Sequence, residues 1–365
     1  MYTKKDLIRI AKRENNTKRN YLVVNPLQGK HIPVRPGKAL ALFSTLSGVL
    51  QDKYYKEKLL LIGFAETATA IGVQVAIDLN ALYIQTTRES LKCVEYLFFS
   101  EEHSHAAEQK LVRNDIDIII KDIDRIIFIE DEVTTGKTIL NIIKVLKNEY
   151  NTELKFAVAS LVNGMAIKYQ DIYNKENIGL HYLVKTDNSQ YIKTAGLFAG
   201  DGIYIPCCTK KTRDYNVFKA SGFIDTRRLT SAGKYKKACE NLWKQVYQYT
   251  RDINNKNILV AGTEEFMYPA IFIGKKLEEL GNNVRTHSTT RSPVTASIEE
   301  DYPLHERYEL KSLYDKDRVT YIYNIDVYDE VIIVTDSHNS GEEGINSLVN
   351  ALKLKNKNIL LVRWC

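Results

Sequence analysis

The fold of this chain is decided by residues 126–138, which read IIFIEDEVTTGKT. The four apolar residues 126–129 predict a short buried strand, and the carboxylates of Glu130 and Asp131 follow it. A turn of hydroxyl-bearing residues and glycine comes next, and residues 139–146 have the apolar spacing of an amphipathic helix. Glycine lets the backbone approach a ligand, and the N–H groups and dipole of a helix start favour phosphate. The pattern therefore suits a sugar phosphate, with its diol on the acids and its phosphate on the turn.

The segment resembles the phosphoribosyl diphosphate (PRPP) signature of type I phosphoribosyltransferases. That signature is an apolar strand, two acids, two variable residues, Thr-Thr-Gly, any residue and Thr, and only Glu130 departs from it, since Asp is usual there. The resemblance implies that Glu130 and Asp131 contact the ribose hydroxyls, directly or through Mg²⁺. The residues implied to hold the 5′-phosphate are Thr134, Thr135, Gly136, Lys137 and Thr138.

Two other interpretations of the segment remain open. Gly136-Lys137-Thr138 looks like the end of a P-loop, but a P-loop needs glycine five residues before Gly136, and Asp131 stands there. The segment is also compatible with an ordinary strand–helix turn. Two consecutive acids and three threonines around one glycine argue against that simpler interpretation.

Composition places the chain among ordinary globular proteins of more than one domain. It has 365 residues, 44% of them hydrophobic and 26% charged, and a net charge of +6. This mild positive charge fits small anionic substrates and is weak evidence for nucleic acid. The five cysteines are scattered without a CxxC pair, so neither a disulfide framework nor a zinc site is indicated. The start of the chain lacks the apolar core of a signal peptide and no apolar run reaches membrane-spanning length, so we expect a cytoplasmic protein.

Three loops ahead of the signature carry candidate ligand contacts. Lys30 and His31 lie between turn residues, where a cation could contact an anion, although a plain surface loop explains them as well. Glu66 and Thr67 follow the predicted strand 59–62, and the resemblance places the pyrophosphate loop there; the small residues around them also suit tight helix–sheet packing. Arg88 follows a third strand and would face the pyrophosphate, unless it is merely solvated.

The polar segment 98–112 comes between two predicted strands. At this place the resemblance implies a loop that closes over the substrate and excludes water. His103 and His105 belong to it and are candidate substrate contacts. Two histidines two residues apart are also potential zinc ligands, but there is no HExxH motif and no cysteine nearby.

The alternation of strands and helices predicts an α/β protein with doubly wound, mostly parallel sheets. The irregular, glycine-containing stretch after residue 190 suggests a boundary near 190–200. We therefore predict a phosphoribosyltransferase domain over 1–195 and a second domain over 196–365. In such sheets a ligand lies at the carboxyl ends of the strands, where the loops named above should meet.

The second half repeats the landmarks of the first. A strand ends at Gly262, as an earlier one ends at Gly63, and Arg291 follows paired threonines, as Arg88 does; the spacings are 291 − 262 = 29 and 88 − 63 = 25. Asp336 closes an apolar strand, as Asp131 does, with 336 − 291 = 45 against 131 − 88 = 43. We infer a diverged phosphoribosyltransferase-like second domain. Its acid pair has become Thr335-Asp336 and its Thr-Thr-Gly has become Asn339-Ser340-Gly341, which weakens any expectation that it binds PRPP.

The second half also resembles the TRSP domain, through the run 290–293 (TRSP) and the run 262–268 (GTEEFMY). That domain follows a phosphoribosyltransferase domain in proteins encoded beside tellurium-resistance and stress genes. The resemblance implies a role in making a nucleoside-like metabolite. The residues that we consider for a second polar-ligand site, or for contacts that only maintain the fold, are Gly262, Thr263, Glu264, Glu265, Thr290, Arg291, Ser292 and Asp336.

Three functional hypotheses follow from these patterns. The first is an enzyme that uses PRPP and Mg²⁺ to join ribose 5-phosphate to a nitrogenous acceptor with release of pyrophosphate. In it Glu130, Asp131 and Arg88 act at the reacting centre, and Mg²⁺ bridges pyrophosphate and ribose. The second is a sensor that binds PRPP or a nucleotide without turnover. The third, a nucleic-acid partner, has no sequence feature that calls for it, and the sequence leaves the assembly open, a homodimer included.

Overall fold

Helices and strands alternate along most of the chain in the computed structural model, which describes residues 1–14, 16, 19–100, 108–150, 153–338 and 342–365. The helices are α1 (Lys4–Leu7), α2 (Pro36–Tyr54), α3 (Thr69–Leu79), α4 (Arg113–Ile119), α5 (Lys137–Glu149), α6 (Ile167–Lys175), α7 (Tyr191–Gly196), α8 (Ala232–Thr250), α9 (Tyr268–Glu279) and α10 (Glu342–Lys353). The strands are β1 (Arg9–Lys12), β2 (Tyr21–Val24), β3 (Leu59–Gly63), β4 (Leu82–Gln85), β5 (Tyr96–Ser100), β6 (Glu108–Val112), β7 (Arg125–Val133), β8 (Lys155–Asn163), β9 (Gly179–Lys185), β10 (Ile203–Ile205), β11 (Asn216–Ala220), β12 (Thr230–Ser231), β13 (Asn257–Gly262), β14 (Asn283–Ser288), β15 (Glu306–Lys311), β16 (Val319–Tyr323), β17 (Glu330–Thr335) and β18 (Ile359–Trp364).

The chain forms two compact units that alternate along the sequence. The first unit contains residues 1–4, 42–188 and 224–237, and the second contains 5–41, 189–223 and 238–365. The predicted boundary was a single division at residue 195, and it stays a prediction for the domains. By their contacts, residues 5–41 group with the second unit and residues 224–237 group with the first.

A six-stranded sheet with the order β12-β4-β3-β7-β8-β9 forms the centre of the first unit. Its five larger strands are parallel, and the short β12 pairs antiparallel with β4 at the edge. Residues 126–129 of the central β7 are completely buried between the helices, as the apolar run predicted. Helix α5 buries Ile139, Ile142, Ile143 and Leu146, which confirms the amphipathic helix after the signature.

Residues 224–237, which follow β11 in the chain, lie along the edge of this sheet. Arg228 donates from Nε and Nη2 to the two carboxylate oxygens of Asp115, each at 2.7 Å, and the N–H of Leu229 donates to the same carboxylate. Thr230 then pairs with Tyr83 of β4. An edge strand that is covered in this way does not offer its backbone to other chains.

A five-stranded parallel sheet with the order β11-β18-β17-β13-β14 forms the centre of the second unit. Read from the β14 edge, this sheet has the order β14-β13-β17-β18. The parallel strands of the first unit have the matching order β4-β3-β7-β8 when the short edge strand β12 is left out. An antiparallel pair also comes between the second and third of these strands in both units: β5–β6 in the first and β15–β16 in the second. The shared order confirms the prediction of two doubly wound, mostly parallel sheets, the second a diverged phosphoribosyltransferase-like fold.

In the described part of the chain, no helix combines the length and the apolar character needed to span a membrane.

Each unit buries a histidine whose protonation should limit stability in acid. His181 of β9 contacts Tyr54 Oη through Nε2 at 2.7 Å, and burial, with the charges of Lys53 and Arg125, lowers its pKa to about 4. His287 of β14 contacts the carbonyl of Tyr323 at 2.7 Å, and burial lowers its pKa to about 4 as well. Both side chains are therefore neutral in the folded protein above about pH 4.

We expect the free energy of unfolding to fall as the pH drops from about 6.5 to about 4. In that window the unfolded chain binds protons at both histidines while the folded chain does not, which removes up to ~3 kcal/mol for each histidine. Urea unfolding at pH 7, 6, 5 and 4 measures this slope, and His181→Gln and His287→Gln should each flatten it. If both variants lose unfolding free energy between about pH 6.5 and pH 4 as steeply as wild type does, the two histidines are not the cause. Above pH 7 the unfolding free energies of the three proteins should change with pH in parallel.

Candidate functional site

The acid pair lies where the central strand of the first unit extends past its neighbour. Strand β3 ends at Gly63, which pairs with Ile129, so the residues from Glu130 onward continue beside β8 alone. Glu130 and Asp131 are partly exposed there, whereas the four residues before them are completely buried. The acids therefore stand at the carboxyl edge of the sheet, where parallel α/β sheets bind ligands.

The loop after β3 is held against this acid pair. Thr67 Oγ1 donates to Asp131 Oδ1 at 2.8 Å. Two further hydrogen bonds fix the loop: the N–H of Ala65 donates to Oγ1 of Thr86, just after β4, and Gln109 Nε2 of β6 donates to the carbonyl of Ala65. The Ala65–Glu66 peptide bond is cis. The structure thus brings together the acids and the loop predicted to hold pyrophosphate, and Glu66 and Thr67 are both partly exposed.

The Asp131 carboxylate is in an environment that disfavours its charge. Burial raises its pKa, the hydrogen bond from Thr67 opposes that rise, and the charge of Glu132 adds to it. A carboxylate of this kind gains more from a nearby cation than a well-solvated one does. Two adjacent, partly exposed carboxylates fit Mg²⁺, which takes one or two carboxylates and completes its shell with water and substrate phosphates. Among the described residues, no group of three or more His, Cys, Asp and Glu side chains is arranged to hold a metal.

The turn after the acid pair requires glycine at Gly136. Its φ is +71°, in the left-handed region, and a Cβ at this position would lie 2.3 Å from Tyr173 Oη. The same hydroxyl donates to the Gly136 carbonyl at 2.7 Å. Helix α5 begins at the next residue, and the first N–H groups of a helix have no acceptor within it. Thr134, Thr135 and Thr138 are partly exposed around this helix start and Lys137 is exposed, so an anion can approach all four.

Arg88 lies on the same edge of the sheet, just after β4. The preceding Thr87 exchanges backbone hydrogen bonds with Lys110 of β6, at 2.9 and 3.1 Å. Arg88 is partly exposed. The paired strands β5 and β6 therefore fix both ends of the segment predicted to close over the substrate. His103 and His105 of that segment lie outside the described residues.

Lys30 and His31 are placed differently from the prediction. Both belong to the second unit and are buried, Lys30 completely. Lys30 Nζ donates to the carbonyls of Glu264 at 2.7 Å and Thr289 at 2.9 Å, and the His31 ring packs against Tyr323. The two alternatives for this segment were a cation in contact with an anion and a plain surface loop, and both placed it at the surface, where the structure does not. The polar sequence gave no sign of the distant carbonyls that bind Lys30.

Sequence reasoning missed polar residues at the ends of β8 and β9. Asn188 Nδ2 donates to Glu132 Oε1 at 3.0 Å, which adds a third carboxylate to the neighbourhood of the acid pair. Lys185 Nζ donates to Asn163 Oδ1 at 3.2 Å and to the carbonyl of Met165. The available signal was that each strand of a parallel sheet ends in polar residues at one common edge.

The candidate residues of the second unit are brought together, but in a buried network. Glu264 is completely buried, and its carboxylate accepts from Arg291 Nε at 2.8 Å and Arg318 Nη1 at 3.0 Å. Arg291 also pairs with Glu265 at 3.0 Å, and Ser312 Oγ donates to Glu264 Oε1.

The remaining candidates of that unit are also satisfied internally. Asp336 is buried and accepts from Tyr314 Oη at 2.5 Å, while Thr263 Oγ1 bonds to Thr335 Oγ1 at 2.9 Å. Thr290 Oγ1 accepts the N–H of Ser292. A Cβ at Gly262 would lie 2.6 Å from the carbonyl of Phe266, so this glycine permits a close backbone approach. Residues 339–341, the counterpart of the Thr-Thr-Gly turn, lie outside the described residues.

Comparisons with known proteins agree with this architecture. The family model described as "Phosphoribosyl transferase" matches residues 7–186, and the model described as "TRSP domain C terminus to PRTase_2" matches residues 206–352. A search of curated proteins returned no significant match.

Similar solved structures include several adenine phosphoribosyltransferases. The one from Rhodothermus marinus is 16% identical, with 50% of this chain and 96% of that chain covered and a TM-score of 0.35. The one from Thermoanaerobacter pseudethanolicus is 15% identical, with 50% and 97% covered and a TM-score of 0.36. The Trypanosoma brucei enzyme in complex with AMP, pyrophosphate and ribose-5-phosphate is 14% identical, with 50% and 77% covered and a TM-score of 0.36.

The two family matches lie in the predicted order and together span most of the sequence. The chain therefore carries a phosphoribosyltransferase domain followed by a TRSP domain.

Proposed function

We propose that the first unit transfers ribose 5-phosphate from PRPP to a nitrogenous acceptor and releases pyrophosphate. The observation that carries the proposal is the 2.8 Å hydrogen bond from Thr67 to Asp131. This bond joins the loop after β3, which we propose for pyrophosphate, to the acid pair, which we propose for ribose. The start of α5, which we propose for the 5′-phosphate, follows the acid pair within residues 126–138. The three parts of PRPP are thereby matched by three neighbouring parts of one sheet edge.

In the transfer, the bond from C1 of the ribose to the pyrophosphate oxygen breaks and a bond from C1 to the acceptor nitrogen forms. The nitrogen loses its proton to solvent or to a nearby base. Positive charge develops on the ribose ring and negative charge on the leaving group, so positioning and electrostatics supply most of the catalysis. Glu130 and Asp131 hold the diol and stabilise the ring charge, while Arg88 stabilises the departing pyrophosphate. Glu130 and Asp131 are the residues that would hold Mg²⁺, which would supply positive charge to neutralise the pyrophosphate.

Glu66 needs a separate role, since a carboxylate beside pyrophosphate repels it. It is partly exposed and follows the residue whose carbonyl and N–H are fixed by Gln109 and Thr86. We propose that it faces the cation or the acceptor. We further propose that the product is a precursor of a nucleoside-like metabolite in a stress-linked pathway, as the neighbouring TRSP domain suggests.

The test is release of pyrophosphate from PRPP in the presence of Mg²⁺ and a panel of purines, pyrimidines and other nitrogen bases. We expect release that depends on one class of base and on the metal. Saturable PRPP binding without release across the whole panel would instead favour the sensor hypothesis. Absence of PRPP binding would remove both.

A further inference from the structure

In the second unit, the position that corresponds to the proposed pyrophosphate site is occupied by a side chain of the protein. The loop after β13 begins at Gly262 as the loop after β3 begins at Gly63, and Arg291 follows β14 as Arg88 follows β4. In this second loop the carboxylate of Glu264 is completely buried between Arg291 and Arg318. The Glu264 carboxylate, which is negatively charged like pyrophosphate, therefore contacts Arg291, the counterpart of Arg88.

The geometry around this carboxylate is that of a bound anion. One oxygen accepts from Arg291 Nε at 2.8 Å and Arg318 Nη1 at 3.0 Å, and the other accepts from Ser312 Oγ at 2.5 Å. Two guanidinium groups and a hydroxyl are the donors that proteins use for phosphate and pyrophosphate.

The backbone of Glu264 is held in a conformation that serves this placement. Its φ is +48°, in the left-handed region that residues with a side chain seldom adopt. Its N–H donates to Thr289 Oγ1 at 3.0 Å, and its carbonyl accepts from the buried Lys30 ammonium at 2.7 Å. Contacts on both sides therefore hold a backbone that is unfavourable for glutamate and that directs the carboxylate towards the two arginines.

We infer that Glu264 is an internal anion that fills the second unit's counterpart of the pyrophosphate site and closes it to PRPP. The inference rests on the proposed function for the meaning of that site. In this inference the first unit keeps its anion site open at the sheet edge. In the second unit the corresponding loop after β13 places Glu264 in an ion-pair network that stabilises the fold. The class of ligand excluded from the second unit is pyrophosphate and similar oxyanions.

The test is the number of pyrophosphate molecules that the full-length protein binds. Glu264→Gly removes the carboxylate and suits the left-handed backbone, so it should open a cationic cavity and add one equivalent of bound pyrophosphate to the wild-type number. Glu264→Gln is the matched control, because its amide fills the space without the charge and should add none. Equilibrium dialysis with labelled pyrophosphate gives the stoichiometry, and anion-dependent thermal unfolding gives an independent readout.

The outcomes separate this inference from the proposed function. One equivalent in wild type and two in Glu264→Gly supports both, whereas none in wild type and one in the variant supports the inference alone. A Glu264→Gly protein that folds only in phosphate or pyrophosphate supports the inference as well. Equal stoichiometry in wild type and Glu264→Gly would overturn it, as would a variant that stays unfolded with or without these anions while Glu264→Gln folds.

Discussion

Asp131→Asn is expected to lower kcat/KM for PRPP by about 10²- to 10³-fold or more, because it removes a charge that is placed where the ribose becomes cationic. Asparagine has nearly the same shape and keeps an oxygen that can accept from Thr67. Burial raises the pKa of Asp131, so the folded protein gains little from its charge. The thermal midpoint should therefore stay unchanged or rise slightly. Loss of turnover at unchanged stability is the expected signature.

Asp78→Asn is the matched control for this substitution. Asp78 also accepts a hydroxyl hydrogen bond, from Ser47 at 2.7 Å, but it lies at the end of α3 away from the acid pair. Steady-state kinetics of both variants with PRPP and Mg²⁺, beside thermal unfolding, make the comparison. Activity of Asp131→Asn within about threefold of wild type would remove the acid pair from the mechanism.

Gly136→Ala is expected to weaken PRPP binding at least ~10-fold and to destabilise the first unit by about 1–3 kcal/mol. The new Cβ would meet Tyr173 Oη at 2.3 Å, and φ of +71° is unfavourable for alanine. The turn must then move, and it carries the helix start that we propose for the 5′-phosphate. KM for PRPP should therefore rise more than kcat falls, because the lost contact is made in both the bound and the transition state.

Gly48→Ala supplies the control for this second variant. Gly48 lies in α2, where a Cβ would meet nothing within 4 Å, so alanine should stabilise the helix by up to ~1 kcal/mol and leave KM unchanged. Steady-state kinetics with PRPP gives KM, isothermal titration gives the affinity for PRPP, and thermal unfolding gives the stability. If Gly136→Ala retains the wild-type KM and thermal midpoint, the turn does not hold the phosphate.

The first unit was predicted well where its signals are local. The run 126–138 predicted a buried strand, an acid pair, a glycine turn and a helix, and each is present, because hydrophobic periodicity and turn chemistry act over a few residues. The landmark spacing of the second half also led to the correct inference of a second doubly wound sheet, since similar loop and strand lengths accompany a similar sheet.

Predictions failed or stopped where the outcome depends on distant parts of the chain. Lys30 was read as a surface cation, yet it is buried because the carbonyls of Glu264 and Thr289, more than 200 residues away, satisfy its ammonium. The clamp of Arg228 on Asp115 likewise joins residues 113 positions apart. Residue patterns along one sequence do not reveal contacts between residues so far apart in the chain.

For this protein, the sequence by itself determined the buried strand, glycine turn and helix of residues 126–138 and the order of acids and hydroxyls that we propose for PRPP. Those features follow from the order of apolar, acidic and hydroxyl side chains along a short backbone segment. Only the tertiary structure decided that most candidate residues of the second unit are buried while most of those of the first unit are partly exposed. That difference depends on whether a carboxylate such as Glu264 meets two arginines from other loops, which is settled by packing and not by sequence order.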